Sequence, residues 1–327
     1  MINVGIVGAG TIVPDFLLAA SQISEINVIA ISGTKVDMEK MNEFSQSYNI
    51  SCVYDNYEDM LENSQIDTVY VAVPNVLHYS FTKKALNKNK NVICEKPFVV
   101  KKVEAIKLAE LAKSKHLYLF DAMPNQFFPN YLKVKELIDK LGDIKIVQIN
   151  YSQYSRRYDQ FKAGEILPVF DPTKAGGALL DLGVYNVQFV LGLFGMPKKI
   201  NYNANVEKGV DTSGILTMIY DSMQCVCIAA KDCKAPLTIN IQGDKGYIHS
   251  DSPANIFSTF EFGDNSGNVE KFELNEKTPQ ERLYHELNKF NEIIKNEDYD
   301  YMLNKLEQAV NVVDVLEIAR KDAGLNY

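Results

Sequence analysis

The sequence predicts an α/β protein in two parts: a doubly wound parallel-sheet domain over residues 1–122, and an α+β domain with a large open, mainly antiparallel sheet over 123–327. Three observations lead there. Short β-branched runs alternate with amphipathic segments through the first third, a Gly-Ala-Gly turn follows the first of those runs, and from Ile200 onward strand-like runs follow one another with only turn residues between them. A chain of 327 residues is long for one ordinary domain and comfortable for two.

In order, the first part reads as strand 2–7, helix 12–21, strand 26–32, helix 36–48, a short strand at 52–55 and strand 67–74. It continues as helix 77–87, strand 91–94, helix 102–115 and strand 117–122. Strands alternating with helices of this length are the pattern of βαβ units and a parallel sheet. The second part opens with helix 131–140, strand 145–153 and a helix near 183–193. Strands follow at 200–206, 214–220, 224–230, 237–243, 246–250 and 257–262, and helices 280–295 and 303–321 close the chain.

Composition excludes several classes. With 46% hydrophobic and 23% charged residues the chain is neither disordered nor collagen-like. A net charge of −8 with scattered Lys and Arg argues against a nucleic-acid partner. The cysteines Cys52, Cys94, Cys225, Cys227 and Cys233 are odd in number and lack His partners, so reduced thiols and no metal site are expected. Cys225 and Cys227, two apart, share one face if their segment is a strand. The first residues form an apolar strand rather than a secretory leader, and no apolar run approaches the ~20 residues of a bilayer span. The expectation is a soluble, cytoplasmic protein without a membrane partner.

Gly8 and Gly10 follow the first strand directly and open a helix at Thr11 and Ile12. Here backbone N–H groups meet the positive end of the helix dipole, an arrangement suited to a pyrophosphate. Val13 stands where the full fingerprint has a third small residue, and Pro14 fits the first helical turn. The second strand ends Ser32-Gly33-Thr34-Lys35 without the carboxylate that binds a free ribose 2′-hydroxyl. Ser32 and Thr34 as donors, with Lys35 and Lys40 as charges, favour NADP, with NAD the other option. The plainer reading of that stretch is a polar turn. The strand at Asn91 delivers Glu95-Lys96-Pro97 to the carboxyl edge of the sheet, where ligands of open α/β sheets bind.

These motifs together resemble the glucose-fructose oxidoreductase, inositol dehydrogenase and rhizopine-catabolism family, written Gfo/Idh/MocA. The matching segments are Gly8 to Val13, Val73-Pro74-Asn75 with His78, Cys94-Glu95-Lys96-Pro97, and Ala175 to Tyr185. Tyr185 in place of the frequent His, the run Gln126-Phe127-Phe128-Pro129 and Val187-Gln188-Phe189 resemble the branch of dihydrodiol dehydrogenases and NADP-linked xylose dehydrogenases. The resemblance implies a Rossmann domain and an oxidoreductase that moves a hydride between nicotinamide and a secondary alcohol or carbonyl of a sugar, polyol or vicinal diol.

It further implies that Lys96 and Tyr185 face the substrate hydroxyl, with Asp181 orienting Lys96 or a substrate hydroxyl. It also places Pro74, Asn75, His78, Glu95 and Lys96 along the cofactor. Independently, Asp181 and Tyr185 lie four apart on one helix face, and a tyrosine, ordinarily near pKa ~10, becomes an effective acid or base beside an ammonium. For His78, local hydrogen bonding at a helix start is an equal alternative. Gln126, Phe128, Arg157 and Tyr185 are the expected substrate contacts. Three residues depart from the family pattern: Ala175 for Gly, Gln126 for Arg and Phe128 for His. The resemblance also suggests a homodimer or homotetramer formed through the C-terminal sheet. The alternatives are a non-catalytic nucleotide-sensing regulator on the same fold and an enzyme that recycles its nicotinamide within one turnover.

Overall fold

The computed structural model describes residues 1–325, which divide into two compact units: 1–124 with 277–310, and 125–276 with 311–325.

In the first unit, β-branched runs pair into a six-stranded parallel sheet in the order β3-β2-β1-β4-β5-β6. The strands are β1 (Ile2–Val7), β2 (Ile26–Ser32), β3 (Cys52–Tyr54), β4 (Thr68–Val71), β5 (Asn91–Glu95) and β6 (Leu119–Ala122). Ile6 pairs with Ile31 on one side and Tyr70 on the other, and all three are buried, as expected of strands covered on both faces. The crossovers are α1 (Val13–Ala20), α2 (Met38–Tyr48), α3 (Tyr57–Leu61), α4 (His78–Asn87) and α5 (Lys102–Ser114). Strand order reverses between β1 and β4, which is the switch point where such sheets open a ligand crevice at their carboxyl edge.

The second unit carries α6 (Pro129–Leu137), β7 (Ile144–Ser152), α7 (Tyr158–Lys162) and α8 (Val184–Phe194). Its remaining strands are β8 (Lys199–Glu207), β9 (Val210–Ile219), β10 (Gln224–Ala230), β11 (Thr238–Gly243), β12 (Gly246–Ser250), β13 (Phe260–Asp264) and β14 (Val269–Phe272). The eight strands run β14-β13-β12-β11-β7-β10-β9-β8, antiparallel except for the parallel pair β7–β10. Helix α8 is buried along almost its whole length against this sheet, and Gly192 lets it approach α6, because a Cβ there would lie 2.1 Å from Tyr131 Oη. Cys225 and Cys227 share the covered face with their sulfurs 3.9 Å apart, and no cysteine of the chain is in a disulfide.

Two expectations are corrected. The sequence order places the closing helices in the second domain, yet α9 (Tyr284–Lys295) and the first part of α10 (Tyr299–Asp322) belong to the first unit. The cause is packing: the amphipathic α9 buries Leu287, Phe290 and Ile293, Phe290 stacks on Phe120 of β6 at 4.3 Å, and Arg282 pairs with Asp15 of α1 at 2.7 Å. The second correction concerns apolar runs. Pro172–Phe194 is long and apolar enough to cross a bilayer by composition, but 78% of its most apolar window lies inside its unit, as in the core helix of a globular domain.

Candidate active site

Three loops of the first unit meet at the carboxyl edge of adjacent strands: the glycine turn after β1, Val73-Pro74-Asn75 after β4, and Lys96-Pro97 after β5. Gly8 has φ +108°, and a Cβ on it would stand 2.2 Å from the Ala72 carbonyl oxygen, so only glycine lets β1 turn this close to β4. Gly10 and Thr11 are exposed at the start of α1, and a Cβ on Gly10 would meet nothing nearer than 3.9 Å. That leaves an open cradle at a helix N-terminus, which fits a pyrophosphate. Ile12 stands at the N-cap position without a side-chain cap and Val13 is fully buried, so the residue that departs from the fingerprint serves the core rather than the cradle. Lys40 Nζ donates to the Ala9 carbonyl at 2.6 Å and holds a positive charge against the turn.

At the end of β2 the donors differ from the sequence expectation. Ser32 is 0% exposed with its hydroxyl enclosed, so it faces the interior rather than a ribose. Thr34 donates from both its N–H (3.0 Å) and its hydroxyl (2.6 Å) to Asp37 Oδ2, a capping box that commits the hydroxyl and holds the Asp37 carboxyl below its usual pKa range. Gly33 is partly exposed and Lys35 exposed.

His78 is buried, with Nδ1 2.9 Å from the Pro97 carbonyl and Nε2 2.9 Å from the Val73 carbonyl. It therefore braces the β4 and β5 loops against each other, which is the local hydrogen-bonding role. Burial pulls its pKa down while the two carbonyls act the other way, and a neutral ring donates to one of them. Pro74 is exposed and its carbonyl accepts from Leu77 N–H at 2.8 Å, while Asn75 begins the following turn.

Glu95 is buried. Its Oε1 accepts from Tyr70 Oη at 2.5 Å and its Oε2 from the Lys96 backbone N–H at 3.1 Å, so this side chain orients the lysine's peptide from within the unit. Burial raises the pKa of Glu95, raises Asp121 to about 7, with Glu95 adding repulsion, and raises Glu286 well above the usual carboxylate range. The Lys96 charge opposes the first two shifts and Arg282 opposes those of Glu95 and Glu286. Half-buried Lys96 thus stands close enough to Glu95 and Asp121 for its charge to act on both.

In the second unit, Asp181 lies on a single π turn, Leu179–Gly183, that leads into α8 and Tyr185. Such turns are frequent at functional sites. The turn is anchored by Asp211 Oδ2, which accepts from Leu179 N–H at 2.7 Å and from Tyr202 Oη at 2.8 Å. Asp181, expected to orient Lys96 or a substrate hydroxyl, forms an ion pair with Lys231 just beyond β10. Asp211 and Lys231 were not anticipated from the sequence, although a lysine directly after an apolar strand end was a signal available there. Buried Tyr185 has its ring 6.3 Å from that of Tyr151, and its carbonyl accepts from Asn125 Nδ2 at 2.9 Å.

Gln126 and Phe128, expected to contact substrate, are both buried, and Gln126 Nε2 donates to the Gln188 carbonyl at 3.0 Å. Gln126 thereby ties the start of α6 to α8, and Phe128 stands at the N-cap position of α6. Arg157 is exposed at the start of α7. Among the described residues no cluster of His, Cys, Asp and Glu is arranged to hold a metal.

Comparison with known proteins gives this geometry a lineage. Residues 2–122 match the oxidoreductase family with an NAD-binding Rossmann fold, and residues 131–249 match the GFO/IDH/MocA C-terminal domain. The chain is 30% identical over 331 residues to scyllo-inositol 2-dehydrogenase (NADP(+)) IolU of Bacillus subtilis (strain 168), covering 100% of this chain and 98% of that protein. It is 30% identical over 250 residues to trans-1,2-dihydrobenzene-1,2-diol dehydrogenase of Mus musculus, covering 74% of this chain and 72% of that one. The fold matches KijD10, a 3-ketoreductase from Actinomadura kijaniata solved with NADP and TDP-benzene, with TM-score 0.85, 18% identity and coverage of 98% and 97%. With both domain models in register and a relative aligned from end to end, the chain belongs to the Gfo/Idh/MocA oxidoreductase family.

Proposed function

We propose that this oxidoreductase interconverts a secondary alcohol and a carbonyl on a polyol or vicinal diol, with NADP(H) as the preferred nicotinamide. The observation that carries the reading is the placement of Lys96: a half-buried lysine beside the buried carboxyl groups of Glu95 and Asp121, at the carboxyl edge two strands from the glycine cradle. End-to-end similarity to a scyllo-inositol dehydrogenase supports the substrate class, and that relative's use of NADP+ supports the cofactor. Lys35 and Lys40 beside a strand end whose last residues carry no carboxylate support it too.

The glycine cradle and the α1 terminus would hold the pyrophosphate. Bound nicotinamide supplies or accepts the hydride. In oxidation Tyr185 as its phenolate takes the proton from the substrate hydroxyl while the carbinol carbon gives up its hydride, and in reduction the Tyr185 hydroxyl returns that proton to the substrate oxygen. Lys96 holds the substrate oxygen through an ammonium hydrogen bond and stabilises negative charge as it develops on that oxygen. Asp181 accepts a hydrogen bond from a neighbouring substrate hydroxyl, which suits compounds with adjacent hydroxyls. The relatives' dehydrogenase activities give no support to a purely regulatory role.

The sheet face opposite α8 carries Ile146 at 46% and Ile215 at 45% exposure, with Val226 and Ile228 half-buried between them. An apolar strip of this kind supports a homodimer or homotetramer formed through the sheet. The five free thiols support a reducing, cytoplasmic setting.

A purified-protein screen of inositols, aldoses and cyclic diols with NADP+ and NAD+, followed by absorbance of the reduced nicotinamide, tests the reading. Turnover of polyols with NADP+ favoured is expected. Turnover confined to simple aliphatic alcohols or amino acids contradicts the substrate class, and equal use of NAD+ contradicts the cofactor preference.

A further inference from the structure

We propose that Lys231 is a positioning residue for the redox reaction, holding Asp181 as a fixed carboxylate on the helix face it shares with Tyr185. The inference rests on the activity proposed above and adds a residue that neither the sequence motifs nor the reaction requires.

Lys231 is the first residue after β10, and both its peptide groups are fixed. Its N–H donates to the Thr212 carbonyl at 2.8 Å, and its carbonyl accepts from Ser155 N–H at 2.8 Å. The side chain is 6% exposed, passes Phe170 with Nζ 5.7 Å from the ring centre, and ends in an ion pair with Asp181 Oδ2. Asp181 is the outer member of the pair, with its side chain 32% exposed. The carboxylate is thus tied from below by an immobile cation while its outer edge stays accessible.

The π turn beneath it is fixed by a second, independent device: Asp211 holds Leu179 N–H, and Asp181 N–H donates to the Gly177 carbonyl at 3.2 Å. A buried ammonium without a counter-ion is strongly disfavoured, so each member of the pair constrains the other, but unequally. Removing Lys231 leaves a carboxylate that water still reaches. Removing the Asp181 charge strands an enclosed cation.

That asymmetry separates positioning from mere stability. Lys231→Met keeps the stem's volume and removes the charge, so the melting temperature should stay close to that of the parent protein. Turnover with a vicinal-diol substrate should fall through kcat by about 10²-fold, the scale on which a 1 Å misplacement of a reacting group acts, with KM for NADP+ unchanged. Lys231→Arg should recover a measurable part of kcat. Lys231→Met combined with Asp181→Asn should be no slower than Asp181→Asn alone, since the lysine acts through the carboxylate.

The test is steady-state kinetics of these four variants and the parent protein, with thermal unfolding of each. Parent turnover with wild-type-like kcat in Lys231→Met overturns the inference and leaves the proposed activity standing. A loss that Arg does not recover and that tracks a fall in melting temperature assigns Lys231 to folding alone and also overturns it. No turnover of any hydroxyl compound by the parent protein overturns the proposed activity and this inference together.

Discussion

Replacing Gly10 with alanine adds one methyl group to the nucleotide cradle and almost nothing to the fold. The nearest heavy atom to the new Cβ is the Ala72 carbonyl oxygen at 3.9 Å, an ordinary contact, and Gly10 is absent from the glycines with positive φ. An alanine at a compatible glycine position restricts the unfolded chain and stabilises by about 0.4–1 kcal/mol, so unliganded Gly10→Ala should melt at or slightly above the parent temperature. A pyrophosphate held at the α1 terminus would approach the backbone here. If the methyl displaces one charge-assisted hydrogen bond worth about 1.5–3 kcal/mol, the dissociation constant for NADPH rises by about 10- to 150-fold.

Gly8→Ala is the contrasting variant. Its φ of +108° and the 2.2 Å approach to Ala72 make the substitution damaging before any ligand arrives. The assay is fluorescence titration with NADPH alongside thermal unfolding without ligand. Undiminished NADPH affinity in Gly10→Ala would refute the placement of the pyrophosphate, and a large fall in its unliganded melting temperature would refute the reading of an open cradle.

Other predictions concern the fold around the site. Buried Ala175 has φ +54°, a left-handed conformation that costs a non-glycine residue roughly 1 kcal/mol, so Ala175→Gly should be neutral to slightly stabilising by denaturant unfolding. A loss above about 1 kcal/mol would mean that the alanine methyl matters more to packing than the backbone does. Asp121, raised from 3.8 to about 7, is held neutral by the folded state, so its penalty is absent below 3.8, grows as pH rises to about 7 and is constant beyond. Asp121→Asn should therefore gain stability relative to the parent across that window, by up to ~4 kcal/mol, with Glu95 and Glu286 sharing the titration. A pH-independent difference between the two unfolding curves would contradict this.

The first unit was legible because a parallel sheet covered on both faces demands β-branched runs, and those runs stand in order from Ile2 to Ala122. The same burial hid one site residue. Ala30, Ile31 and Ser32 are all interior at the end of β2, so a serine that reads as a surface donor is enclosed. Short elements carry too little periodicity to be read: α3 and α7 have five residues each, and β14 (Val269–Phe272) has four, three of them exposed.

The membership of α9 in the first unit was invisible for another reason. Amphipathic spacing announces a helix with an apolar face but does not say which core receives it. The Asp181–Lys231 pair spans 50 positions of sequence, and no local pattern marks two residues that only β10 and the π turn bring together. In the first unit the motifs stand at strand ends and in the second on the π turn and α8, whereas the partners of those residues come from the fold.

The account's central claim is that Tyr185 exchanges the proton while Lys96 holds the substrate oxygen, and single-turnover nicotinamide reduction with saturating polyol tests it most directly. Tyr185→Phe removes the hydroxyl and little volume, so hydride transfer should slow by about 10²-fold or more while NADP+ affinity holds. Lys96→Met should lose a comparable amount, and the double variant should be scarcely slower than either single one. A Tyr185→Phe protein that reduces nicotinamide at close to the parent rate would contradict the claim and leave another group or a water as the proton carrier.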